Sequence, residues 1–280
     1  MITAYLTMLR PAQWLKNLML FFPPFLAGQM LLPGIVARGM APFGAFCLVS
    51  SAGYIFNDLL DRRRDIHHPQ KRLRPIPSGV VSLSGASMFS ALLLISGLIL
   101  AGLTSPRFLL LLAGYAAIST SYSLLFKTLP VVDLFCISAG FLIRLQAGGE
   151  LFHVPISPWL FLTVFLLSVF LSTGKRLSET YSLGDMAGEH RVSLAHYPPR
   201  FLEGTMYMTG GTVLVTYAMY TLNRQMLIYS VPLCLFGLLR YIFRVSSGKG
   251  GDPTESLLKD WLLFVVGLLW VLMVIWSIYS

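Results

Sequence analysis

The stretch Cys47-Leu-Val-Ser-Ser-Ala-Gly-Tyr54-Ile-Phe-Asn57-Asp58-Leu-Leu-Asp61-Arg62-Arg63-Arg64-Asp65 runs from an apolar segment straight into acids and bases. Its first part closes an apolar run over residues 41–60, and about 20 apolar residues are what a helix needs to cross a ~30 Å hydrocarbon core. On such a helix, at about 100° per residue, Asp58, Asp61 and Asp65 fall within about 60° of one another, with Tyr54 and Asn57 one turn earlier. Like charges held that close call for a cation. The segment therefore predicts a membrane helix whose polar end carries chemistry.

The rest of the chain supports a bilayer setting. Of its 280 residues 55% are hydrophobic and only 12% charged, with a mean hydropathy of +0.71, whereas a soluble domain carries about 25% charged residues. Apolar runs predict nine transmembrane helices, over residues 17–36, 41–60, 83–104, 107–126, 131–150, 156–175, 205–222, 226–243 and 260–279. The expected fold class is thus all-α and integral to the membrane, a single polytopic domain over 1–280. Pro23 and Pro24 should kink the first span. No cleavable signal peptide is expected, because the N-terminus lacks a charged n-region and the first run, after Arg10 and Lys16, is long enough to span.

A net charge of +9 raises the question of nucleic acid, but the bases sit in loops between spans rather than as a stripe on one surface, so no nucleic acid is expected. With the N-terminus inside, only Arg38, Arg107 and Arg224 fall outside and Arg144 lies within a span; every other Lys and Arg is cytoplasmic. The positive-inside rule then gives a multi-pass protein of the plasma (inner) membrane with its N-terminus in and its C-terminus out. The long polar cytoplasmic loops are 61–82, 176–204 and 244–259, which places water-soluble chemistry on the inner face. Cys47, Cys136 and Cys234 stand singly in apolar runs and read as small buried hydrophobes.

After the acids the chain continues Ile66-His-His-Pro69-Gln-Lys71-Arg72-Leu-Arg74-Pro75-Ile-Pro77-Ser-Gly79. Mg2+ favours a few carboxylate oxygens completed by waters and phosphate oxygens, which suits the Asp58–Asp65 group, and Lys71, Arg72 and Arg74 can neutralise the remaining phosphate charge. An ordinary charged loop, with Asp58 paired to Arg62 at i,i+4, is the plain alternative. It leaves unexplained why the acids begin at the membrane boundary.

Asn57-Asp58-x-x-Asp61-x-x-x-Asp65 resembles the first aspartate-rich motif of the UbiA prenyltransferase superfamily. The resemblance implies a helical bundle around a central cavity open to the cytoplasmic face and the membrane. Most members carry a second motif, Asp-x-x-x-Asp, after the sixth span; this chain has Gly174-Lys175-Arg176-Leu-Ser-Glu179-Thr-Tyr181 there, and the nearest acids, Asp185 and Glu189, lie too far along. Gly-Lys-Arg-x-x-Glu is similar to a narrower branch, the decaprenyl-phosphate phosphoribosyltransferases that begin arabinose-donor synthesis for cell-wall biogenesis. Arg10-Pro-x-Gln13-Trp14-x-Lys16-Asn17, His68-Pro-x-Lys71-Arg72-x-Arg74-Pro75-Ile76, Leu142-Ile143-Arg144 and Leu239-Arg240-Tyr241 resemble that branch too.

The resemblance implies a Mg2+-dependent enzyme with 5-phosphoribosyl 1-diphosphate as donor and a polyprenyl phosphate as acceptor. Asn57, Asp58, Asp61 and Asp65 would hold the metal, with Asn57 and Asp61 in direct contact. Lys16, Tyr54, Lys71, Arg72 and Arg74 would surround the sugar phosphates, and Lys127 and Arg144 would hold the lipid phosphate. Lys175, Arg176 and Glu179 share a helix face and join Asp58, Asp61 and Lys71 in the catalytic set, Glu179 either orienting the two cations or taking part in a metal shell. An intramembrane Arg is a functional candidate by default, with a structural pairing to Glu150 as the alternative for Arg144.

Arg191, His196, Tyr197, Pro198 and Pro199 belong to a loop that reads as an amphipathic lid, and the five histidines show no repeated ligand geometry. Trp14, Trp159, Trp261 and Trp270 near span ends read as interfacial belt residues. Two rivals remain: transfer of an isoprenyl group from its diphosphate to an aromatic acceptor, and a lipid transporter or scaffold. Transporters gather charge at the midplane, whereas here charge concentrates at one face. The sequence leaves a homo-oligomer open.

Overall fold

Prolines and serines decide where several helices of this chain start. In the computed structural model, which describes residues 2–67, 71–184, 192–222 and 226–280, Ser82, Ser105 and Ser157 accept bonds from the backbone N–H groups of Gly85, Phe108 and Leu160. Pro106 and Pro158 follow two of those serines at the first helical position, where no N–H is needed. His68, Asp185, Glu189, His190, Arg191 and Arg224 lie outside the described residues.

Among the described residues the fold is all helical, with no strand. The elements are α1 (Ile2–Leu9), a 3-10 segment (Pro11–Phe21), α2 (Phe22–Leu26), α3 (Ile35–Asp65), α4 (Leu83–Thr104), α5 (Pro106–Leu124), α6 (Val132–Phe152) and α7 (Pro158–Leu183). There follow α8 (Val192–Ala195), α9 (Phe201–Thr221), α10 (Val231–Ser246), α11 (Pro253–Lys259) and α12 (Trp261–Tyr279). Among the described residues six stretches are long and apolar enough to cross a membrane: α3, α4, α6, α7, Leu227–Ser246 and α12. On α4, Met88, Leu92, Ile95, Ile99 and Leu103 form an exposed stripe at helical spacing, Leu103 at 80%, as a lipid-facing helix requires. The chain is an integral membrane protein.

The first expected span, 17–36, is not one helix. Residues Pro11–Phe21 form eleven residues of 3-10 helix, five residues of α2 follow, and the chain then turns through Gly28 and Gly34, both at positive φ. Pro23 and Pro24 have no N–H to give to an upstream turn, so an α-helix must begin with them rather than run through them. At about 2.0 and 1.5 Å per residue the two pieces together still reach about 30 Å. In the other direction, α3 runs to Asp65 and α7 to Leu183, past the expected span ends, and α11 occupies part of the expected 244–259 loop.

The chain packs as two compact units. The first comprises Met1–Lys127 and Ile143–Pro155. Its main contact sets α4 against α3 through small residues: a Cβ on Gly97 would lie 2.6 Å from Val49 Cγ2 and 3.0 Å from the Ala45 carbonyl oxygen. Ile76, at the tip of the 71–82 connection, is buried with Met8, Ala52, Ile55, Val81, Ala86 and Leu93. That plug fixes the loop after the acids onto α1, α3 and α4.

The second unit comprises Thr128–Leu142 and Ile156–Ser280. There α7 packs on α9, with Phe170 against Gly210, in a core shared with Leu177, Leu202, Met206, Val213 and Tyr241. Tyr241 also bonds the Gly251 carbonyl at 2.6 Å, holding the segment before α11 onto α10.

Candidate active site

Because α3 is 31 residues long, about 46 Å at ~1.5 Å per residue, its last turns project Asn57, Asp58, Asp61 and Asp65 beyond its apolar part on one face. Three separate segments of the first unit bring cations to them. Arg10 Nη2 lies 2.6 Å from both carboxylate oxygens of Asp58. Arg74 Nη1 bridges Asp58 Oδ1 and Asp65 Oδ2, each at 2.9 Å, and Lys71 Nζ is 3.9 Å from Asp65 Oδ1. Lys127 Nζ is 2.6 Å from Asp61 Oδ1 and 3.5 Å from Asn57 Oδ1, while Asn57 donates to Asp61 Oδ2 at 3.0 Å. Asp58 thus bonds cations far away in sequence rather than Arg62.

Arg10 is set by its backbone. It stands at φ +52°, ψ +61°, between α1 and the 3-10 segment and before Pro11, a left-handed conformation that costs a non-glycine residue about 1–2 kcal/mol. Ser51, fully buried on α3, pins both sides of the bend: its hydroxyl donates to the Leu9 carbonyl at 2.8 Å and accepts from Trp14 Nε1 at 3.0 Å. The guanidinium also lies 5.2 Å from the Tyr54 ring centroid. Arg10 is a site residue that residue-level reading missed, since nothing local ties it to an acid 48 positions later.

Of the other expected residues in this unit, Lys16 is half-buried on the 3-10 segment and Arg72 is exposed on the turn beside Lys71. Lys127, expected at a lipid phosphate, lies on Asp61 and Asn57, because the short 3-10 turn after α5 aims it at α3. Arg144 is buried: Nε donates to Asn17 Oδ1 at 2.8 Å and Nη2 to the Tyr115 hydroxyl at 3.0 Å, with the Tyr115 ring 4.4 Å away. Glu150, its alternative partner, instead meets Arg107 at 3.7 Å.

In the second unit, Arg176 is 2% exposed and its Nε lies 2.9 Å from Oδ2 of Asp133, itself 0% exposed; Nη1 is 3.4 Å from Glu179. Tyr197 donates to Asp133 Oδ1 at 2.8 Å and accepts from the Val131 N–H at 2.7 Å. Burial, and then the neighbouring Asp133 carboxylate, push this phenol well above its ordinary range, so it stays protonated and donating. Arg176 is therefore a fixed tie between α6, α7 and the 193–197 segment. Lys175 turns instead to Asp252, at 3.0 Å, and Asp252 caps α11 through the Thr254 and Glu255 N–H groups. Asp133 and Asp252 were also missed; an acid within the apolar run after Pro130 was the available signal for the first.

Residues 21–266 match the UbiA prenyltransferase family. The chain belongs to that family. It is 30% identical to a decaprenyl-phosphate phosphoribosyltransferase of Mycolicibacterium smegmatis, over 97% of this chain and 91% of the relative. It is 32% identical to a decaprenyl-phosphate phosphoribosyltransferase of Corynebacterium glutamicum, over 97% of this chain and 85% of the relative. The fold matches a UbiA homolog from Archaeoglobus fulgidus solved with GPP and Mg2+, with a TM-score of 0.77 and 20% identity over 99% of this chain and 100% of that one.

The donor set in this UbiA chain fits a hard divalent cation: carboxylate and amide oxygens, with no sulfur or imidazole among them. Among the described residues no three His, Cys, Asp or Glu side chains converge closely enough to hold a metal ion unaided. A metal here must complete its shell with water or substrate oxygens, as Mg2+ commonly does.

Proposed function

We propose that the chain transfers 5-phosphoribose from 5-phosphoribosyl 1-diphosphate to a polyprenyl phosphate, such as decaprenyl phosphate, releasing diphosphate, in cell-envelope arabinan precursor synthesis. The observation that carries this reading is the Gly174–Glu179 segment. Where a second group of aspartates would serve an isoprenyl diphosphate, α7 offers Lys175 and an Arg176 already tied to Asp133. The names of the two relatives that match nearly all of the chain agree.

In this reading Asn57, Asp58, Asp61 and Asp65 hold Mg2+, which supplies positive charge to a departing diphosphate. Lys71, Arg74 and Lys127 add fixed positive charge at the same end, and Lys16, Tyr54 and Arg72 border the ribose 5-phosphate. Arg144 serves the lipid phosphate. The acceptor's phosphate oxygen is already anionic, so it attacks C1 of the ribose without a general base; the bond from C1 to diphosphate breaks, and diphosphate leaves with the electron pair. Catalysis is then chiefly electrostatic, by charges fixed before the reaction begins. The same reading gives nine membrane crossings, with the 3-10 segment and α2 as the first, and a cavity open to the cytoplasm and the membrane.

The solved relative with bound GPP and Mg2+ favours a second reading, isoprenyl transfer to an aromatic acceptor. Purified protein given labelled 5-phosphoribosyl 1-diphosphate with polyprenyl phosphate, and separately an isoprenyl diphosphate with 4-hydroxybenzoate, separates the two. Product from the first pair alone, abolished by removing Mg2+ and lowered at least about a hundredfold by Asp61→Ala, is expected. Product from the second pair alone sinks the proposal.

A further inference from the structure

The position of the Arg10 guanidinium is unusual for an ordinary ion pair. A single nitrogen lies 2.6 Å from both oxygens of Asp58, which places it on the bisector of the carboxylate, the position from which a chelated cation would bind both oxygens. Arg74 likewise takes oxygens of Asp58 and Asp65, and Lys127 an oxygen of Asp61. The three carboxylates face four cations, Arg10, Lys71, Arg74 and Lys127. A dication added alone would meet a local surplus of positive charge and ligands already engaged by nitrogen. A diphosphate added alone would need those cations, which the acids hold.

We infer that Arg10 occupies the metal's place on the Asp58 carboxylate until metal and diphosphate arrive together, and then changes partner, from Asp58 to the diphosphate. The exchange balances both sets of charges at once: the metal takes the acids' oxygens and the released guanidinium takes phosphate oxygens, whose geometry its fork also matches. That no three such side chains among the described residues form a cage points the same way, since a metal held by few protein oxygens depends on the diphosphate for the remainder of its shell. Ser51 holds the bend while the Arg10 side chain, about a quarter exposed, has room to swing. This inference rests on the reading of Asp58–Asp65 as a metal–diphosphate site, but not on which group is transferred.

The test is equilibrium dialysis of the full-length protein in detergent against Mn2+ alone, methylenediphosphonate alone, and both. Retention of the pair at least tenfold tighter than either component alone is expected. Arg10→Gln should move the two measurements in opposite directions: Mn2+ alone binds severalfold tighter, because its competitor is gone, while the gain from diphosphonate falls below threefold. Arg10→Lys, which keeps the charge, should retain most of the gain. Equal retention of Mn2+ with and without diphosphonate by the wild type overturns the inference, and that comparison stands by itself if Arg10→Gln does not fold. Loss of both affinities in Arg10→Gln, or of the gain in Arg10→Lys, also overturns it. An assay giving only isoprenyl product would sink the proposed donor and leave the exchange intact, since both donors carry a diphosphate.

Discussion

Asp133 and Arg176 have no water to fall back on: each is buried, and each charge is balanced mainly by the other. Removing one partner of such a pair leaves an uncompensated buried charge, which typically costs 3–5 kcal/mol. Asp133→Asn should therefore destabilise the protein by about 3 kcal/mol, read as a lowered midpoint of thermal unfolding in detergent. Tyr197→Phe, which removes one hydrogen bond to the same carboxylate, should cost about 1 kcal/mol in the same measurement. The three aspartates of α3 were legible in the sequence because helical spacing alone puts them on one face. Arg10, Asp133 and Asp252 were not, because their partners are 48, 43 and 77 positions away and no periodicity links them.

At the scale of elements, close packing between helices depends on residues that sequence propensity marks as weak. Gly97 is a poor helix former, yet α4 approaches α3 at that point and an added methyl would meet Val49 and the Ala45 backbone. Gly97→Ala should thus destabilise the protein by at least about 1 kcal/mol despite the ~1 kcal/mol gain in helix propensity, measured by thermal unfolding. The existence of the long helices was plain from hydropathy, since lipid-facing residues such as Leu92 and Leu103 are apolar whatever they pack against. The first span was misjudged as one kinked helix. Hydropathy reports the environment of a segment and not its winding, and Pro23 and Pro24 mark where an α-helix must begin without fixing how Pro11–Phe21 is wound before them.

For the whole molecule, the orientation argued from positive loops is open to direct measurement. In a variant with its three native cysteines replaced by serine, Arg63→Cys should react with an impermeant maleimide only in inside-out vesicles, and Ser280→Cys only in right-side-out cells or vesicles. The reverse pattern would move the acidic site to the wrong face for a cytoplasmic sugar diphosphate. One last consequence concerns the order in which the chain is made. Every acid and base of the cluster around Asp58, from Arg10 to Lys127, is encoded in the first 127 residues, and chains are synthesised from the N-terminus at about 5–20 residues per second. The carboxylates can therefore find their counter-charges within seconds of insertion, while α8 to α12 are still unmade. A nascent chain halted once Lys127 has cleared the ribosome should already hold the cluster closed, before most of the second unit has been made.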